Sequence, residues 1–128
     1  MHTVLEPKGP EFEWLGSSAI TELSSTASGL RIVLAAPVDI DRYVEFHFSY
    51  PRAFQAMDEG DMLGYWEPAL PGRYALYRVT SGGWRERAEG HYLNVTSTLD
   101  NLQEWLVISS DLCVSVVSSD EPHVREFG

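Results

Sequence analysis

The sequence predicts a mainly β fold of antiparallel sheets on three observations. These are strict alternation in RYVEFHFSY, a two-sided apolar run in GLRIVLAA, and turn residues at hairpin spacing. In RYVEFHFSY, Val44, Phe46 and Phe48 face one way and Glu45, His47 and Ser49 the other, as in a half-buried strand. In GLRIVLAA, Leu30, Ile32 and Leu34 interleave with Val33 and Ala35, so both faces are apolar and a covered central strand is expected. Segments 17–24, 74–80, 84–89, 91–97, 104–109 and 112–117 complete a set of about eight short strands.

The turns follow the same logic. Ser81-Gly82-Gly83 separates YALYRVT from WRER, and glycine supplies the positive φ that tight hairpins need. Ser110-Asp111 separates WLVIS from LCVSVV at hairpin spacing. A sandwich, a rolled sheet or a partly open barrel satisfies this pattern equally. Residues 1–10, with Pro7, Gly9 and Pro10, read as a loose N-terminal arm, and 11–128 as one β-rich domain. At most two short helical stretches compete with strands. One starts at Pro51 and runs through RAFQAMDE to Gly60, with proline at its start and glycine at its stop. The other is a single turn over Thr98–Glu104, where a loop is the alternative.

At 128 residues the chain has the length of one ordinary domain and should bury roughly two-thirds of its unfolded surface. Nineteen acidic residues against nine basic give a net charge of -10, which disfavours nucleic acid and anionic membrane as partners. The charge is uneven: -7 to Gly72, +3 over Arg73–Arg87 and -6 from Ala88 onward. This distribution suits either a solvated surface or electrostatic steering toward a basic protein partner, and self-association stays open. A lone cysteine, Cys113, points to a reducing compartment. No secretory leader is expected in MHTVLEPKGPEFEW, and IVLAAPV is too short to cross a bilayer, so a cytoplasmic location is expected.

The stretch YPRAFQAMDEGDMLGYW carries the densest chemistry. Asp58, Glu59 and Asp61 are too few for a calcium loop and lack the distant bidentate glutamate. A turn at Gly60 is the plain reading; a docking edge formed by Asp58, Glu59, Asp61, Tyr65, Trp66 and Glu67 is the sharper one. The histidines show neither HxH nor HExxH spacing, no GxSxG is present, and no basic residue adjoins Cys113 to activate it. No catalytic group, metal or cofactor is expected. The four tryptophans read as packing, each indole N–H with an acceptor, or as a stacking platform for sugar. In a second class of function, a small-ligand binder or enzyme, Tyr77, Arg78, Trp84, His91 and Tyr92 would line a pocket in a rolled sheet.

The phrases DEGDMLGYWE, LYRVTSGGW, HYLNVTS and CVSVVSSDEP, in that order, resemble small acidic bacterial immunity-type proteins, which neutralise polymorphic toxins. The insert STLDNLQEW departs from that pattern by exceeding a tight hairpin. The resemblance implies a non-catalytic protein-binding module that occludes a basic toxin surface, with partner contact at the acidic–aromatic stretch.

Overall fold

Val44, Phe46 and Phe48 point into a core shared by two antiparallel sheets in the computed structural model, which describes residues 3–37, 40–58, 73–93 and 96–128. The strands there are β1 (Val4–Glu11), β2 (Ala19–Thr26), β3 (Gly29–Ala35), β4 (Tyr43–Phe48), β5 (Pro51–Asp58), β6 (Tyr74–Ser81), β7 (Gln103–Ile108), β8 (Leu112–Ser118) and β9 (His123–Phe127). One sheet has the order β1-β6-β7-β8-β5 and the other β2-β3-β4-β9. A helix, α1 (Trp84–Ala88), and 3-10 turns at Leu15–Ser17 and Thr96–Thr98 complete the described elements. The mainly β antiparallel fold is as the sequence predicts, and among the described residues the sheets do not close into a barrel. No helix of the described residues is long and apolar enough to cross a membrane.

Alternation on both sheets builds the core. β3 and β4 contribute Leu30, Ile32, Leu34, Val44, Phe46 and Phe48; the opposing sheet contributes Leu76, Trp105, Val107, Val114 and Val116. Side chains of both sheets thus interleave in one layer, the arrangement of a sandwich. Of the described tryptophans, Trp84 meets the expectation of a bonded indole, donating from Nε1 to the Tyr92 hydroxyl at 3.1 Å. Trp14 and Trp105 do not: both Nε1 atoms are buried with no acceptor among the described residues. Leaving such a donor unpaired costs about 1–3 kcal/mol. Burying the ring removes about 150–250 Å² from water, worth about 4–6 kcal/mol, so packing wins.

The five-stranded sheet is covered on its other face as well. Tyr77, Val79, Leu106 and Cys113 form a second cluster there, and Trp84, Ala88 and Val117 a third, beneath α1. Cys113 therefore points away from Val114, which faces the sandwich core. β8 is the strand buried on both faces almost throughout, and Ile32 to Leu34 of β3 is buried at both parities.

Several local expectations are corrected. Residues 4–11 are not a loose arm but an edge strand paired with β6. An edge tolerates Pro7 and Pro10, which lack an N–H, and the register shifts between Lys8 and Glu11. The Pro51 stretch is strand β5, not helix, because its alternation matches β8 from Ala53 to Asp58. Segment 84–89 is not a strand but the helix Trp84–Ala88 with Glu89 as its C-cap, and Ser81-Gly82-Gly83 leads from β6 into α1 instead of closing a hairpin. Segment 91–97 is not a strand where it is described: His91 and Tyr92 form a turn, Leu93 has φ 58, and Thr96 opens a 3-10 turn. His123 lies in β9, opposite His47.

Gly29 opens β3 at φ +118, and a Cβ there would overlap the carbonyl oxygen of Phe48. Only glycine fits both the conformation and the approach. Loop 96–102 is pinned by Arg85, whose guanidinium donates to the carbonyls of Leu102 at 2.9 Å, Thr96 at 3.1 Å and Leu99. Arg87 likewise ties α1 to Gly82 O at 2.8 Å and Thr3 Oγ1 at 3.0 Å. Two arginines of the cationic middle thus serve the fold.

Candidate functional site

The corner between β4 and β5 crosses from one sheet to the other and would leave its amides without ladder partners. Asp120 supplies them: its carboxylate accepts from Ser49 N at 3.1 Å and Tyr50 N at 3.3 Å. The backbone of Asp120 is itself held, since Ser118 Oγ donates to its carbonyl at 2.7 Å. The clamped corner presents Tyr50 outward, 72% exposed.

β5 continues from this corner along the open side of its sheet. Only β8 pairs with it among the described strands. Its side chains alternate: Ala53, Gln55 and Met57 are half-buried, while Arg52, Phe54, Ala56 and Asp58 are exposed. Phe54 is 39% exposed, a large apolar ring at a sheet edge. Arg52 donates from Nε to Thr96 Oγ1 at 3.1 Å, joining the corner to the loop that Arg85 holds. Tyr50, Pro51 and Arg52 also form one wall of an open groove of about 500 Å³, with Ser25 to Gly29 of the β2–β3 turn and loop 99–102 opposite. Aromatic, serine and asparagine side chains on pinned backbone are a suitable contact surface for another macromolecule.

Asp58 is the last residue of β5 and is exposed. Glu59, Asp61, Tyr65, Trp66 and Glu67 lie outside the described residues. Of the set considered for a small-ligand pocket, the structure brings Trp84 and Tyr92 together and places Tyr77 in a different cluster. Tyr77 is fully buried in the second cluster, where burial, with a smaller effect from Tyr74, pushes its hydroxyl up to about 12. Arg78 stands opposite Trp105 and Glu6 and lines a polar cleft of about 350 Å³ with Arg85, Glu86, Glu89 and Glu104. His91 is exposed, and its amide donates to Ala88 O at 2.9 Å. Among the described residues no three His, Cys, Asp or Glu side chains gather to hold a metal ion.

The outer face of the four-stranded sheet carries a ladder of alternating charge. Arg31 on β3 donates to Glu45 at 2.5 Å and to Glu22 at 2.6 Å, and Arg125 on β9 reaches Glu45 at 3.2 Å. Hydrogen bonding from Arg31 is the main cause that holds both carboxyls below their usual range. Beside it, Tyr43 stacks on Phe127 with centroids 5.3 Å apart, and the Arg125 guanidinium lies 4.6 Å over the Phe127 ring. These charges are neutralised within the sheet.

Tyr50, Arg52, Phe54 and Asp120 were not singled out by sequence reasoning. The available signal was the alternation of PRAFQAMD, masked by a proline-to-glycine frame that reads equally as a short helix. No protein-family model matches the chain, and neither the curated proteins nor the solved structures contain a match.

Proposed function

We propose that this protein is a non-catalytic binding module that docks a basic protein along the β5 edge and the acidic–aromatic residues following it, in the manner of an immunity protein occluding a toxin surface. The observation that carries the reading is the clamped Tyr50 at the head of an exposed row, Arg52, Phe54, Ala56 and Asp58, on a strand that pairs only with β8 among the described strands. Tyr50 and Phe54 would supply the desolvated contact area, and the acids would steer a cationic partner. The net charge of -10 makes association fast at low salt and slower as salt screens it. A filled sandwich interior supports the same reading. The small-ligand alternative draws less support, because Tyr77 and Trp84 pack in different clusters.

The test pairs the chain with the product of an adjacent toxin-like reading frame. Tyr50→Ala should raise the dissociation rate at least about tenfold, an anchor's worth of contact. Reversing Asp58, Glu59 and Asp61 to lysine should slow association and flatten its salt dependence. Rates unchanged in both variants would remove this edge as the docking surface.

A further inference from the structure

Among the described strands only β8 pairs with β5, and the other edge of β5 is complementary to itself. Its central residues, Ala53-Phe54-Gln55-Ala56-Met57, carry no charge, and Arg52 and Asp58 flank them with opposite signs. A long uncharged edge invites another strand to pair with it. We propose that a second copy of the chain occupies this edge, pairing β5 antiparallel with its counterpart about a two-fold axis through Gln55.

That register sets Arg52 opposite the copy's Asp58, Ala53 opposite Met57, Phe54 opposite Ala56 and Gln55 opposite itself. Every contact is then made twice, as an isologous interface requires. The exposed row of one copy meets the exposed row of the other, and the half-buried row meets the half-buried row. Moving the axis to Phe54 or Ala56 keeps this parity but separates the two charges, so charge pairing selects the register centred on Gln55. Phe54, 39% exposed in the single chain, gains cover from the small Ala56 across the axis and from its own symmetry mate diagonally. The sheet β1-β6-β7-β8-β5 would continue into its copy at β5.

Pro51 and the register shift between Pro51 and Ala53 blunt the upstream end of the edge, so pairing is confined to Arg52–Asp58. An interface of this size belongs to the weak, reversible class. The dimer forms as concentration rises and yields the edge to a tighter partner. The inference shares its surface with the proposed docking role, but its test uses the purified chain alone, so either can fail without the other.

Sedimentation equilibrium from low micromolar to millimolar concentration reads the outcome. The wild-type chain should show a concentration-dependent monomer–dimer equilibrium. Arg52→Asp and Asp58→Arg, each placing like charges opposite one another, should each weaken it at least about tenfold. The double variant R52D/D58R restores opposite charges and should recover most of the loss. Ala56→Lys, on the exposed row away from the contact with Thr96, should abolish dimers without depending on Arg52's role in the fold. A wild-type chain that stays monomeric throughout overturns the proposal. So does a dimer indifferent to the single reversals and to Ala56→Lys, or one that the charge swap does not rescue.

Discussion

Glu104 on β7 and Trp84 on α1 meet across twenty residues of sequence: the carboxylate accepts the Trp84 amide at 2.9 Å on one oxygen and the Arg85 amide at 2.8 Å on the other. It thereby satisfies two of the free amides that begin a helix, and does so with a negative charge where the helix dipole favours one. Gly83 makes room for it, since a Cβ there would strike both Glu104 Oε2 and, at 2.5 Å, Val79 Cγ1. A five-residue helix has little stability of its own, so this contact and the burial of Trp84 and Ala88 must hold it.

Glu104→Ala should therefore destabilise the chain by about 1–3 kcal/mol, removing the acceptor of one buried and one part-buried amide. Glu104→Gln keeps one acceptor oxygen and should lose less. Urea unfolding measures the first effect, and hydrogen exchange at the Trp84 and Arg85 amides places it. A Glu104→Ala chain within about 0.5 kcal/mol of wild type would show that α1 does not need the carboxylate.

The same contact explains why some of the fold was legible in the sequence and some was not. β4, with Val44, Phe46 and Phe48 inward, and the β7–β8 hairpin around Ser110-Asp111 depend on local alternation and turn chemistry. Those signals are contained in the segments themselves. The helical state of WRERA depends on Glu104, which no window around Trp84 contains. β1 was hidden by prolines that an edge position tolerates, and β5 by caps that compete with its alternation until β8 settles the matter. The candidate site was hardest to see for the same reason. Asp58 stands in an evident acidic cluster, but Tyr50 gains its prominence from Asp120, seventy residues away.

Asp120 should accordingly control the order of the corner. Its carboxylate accepts two amides in a partly solvated site, so Asp120→Ala should cost on the order of 1 kcal/mol in stability. The local effect is the more informative one. Exchange at the Ser49 and Tyr50 amides should accelerate at least about tenfold, while that of Ile32 and Phe46 in the core strands stays close to wild type. If the corner amides remain protected in the variant, then β4 and β5 hold Tyr50 in place without the clamp.

Acid should reveal the charge ladder of the other sheet. Glu45 is the shared acceptor of Arg31 and Arg125, and hydrogen bonding from Arg31, against an opposing effect of burial, holds its carboxyl below the ordinary value of 4.5. A carboxyl depressed in the folded state contributes stability above its unfolded pKa and loses it as pH falls through the folded one. Wild type should therefore exceed Glu45→Gln by on the order of 1 kcal/mol near neutrality, a modest figure because Arg125 is solvent-exposed. That gap should begin to close below about pH 4.5 and vanish once Glu45 is protonated in the folded chain. Comparison with the variant is essential, because a chain of net charge -10 also gains from losing self-repulsion as its other acids are protonated. That gain is nearly common to both proteins and cancels in the difference. Urea midpoints of the two chains between pH 3 and pH 7 measure it; a gap that stays constant across that range would show that Glu45 acts through packing and not through its charge.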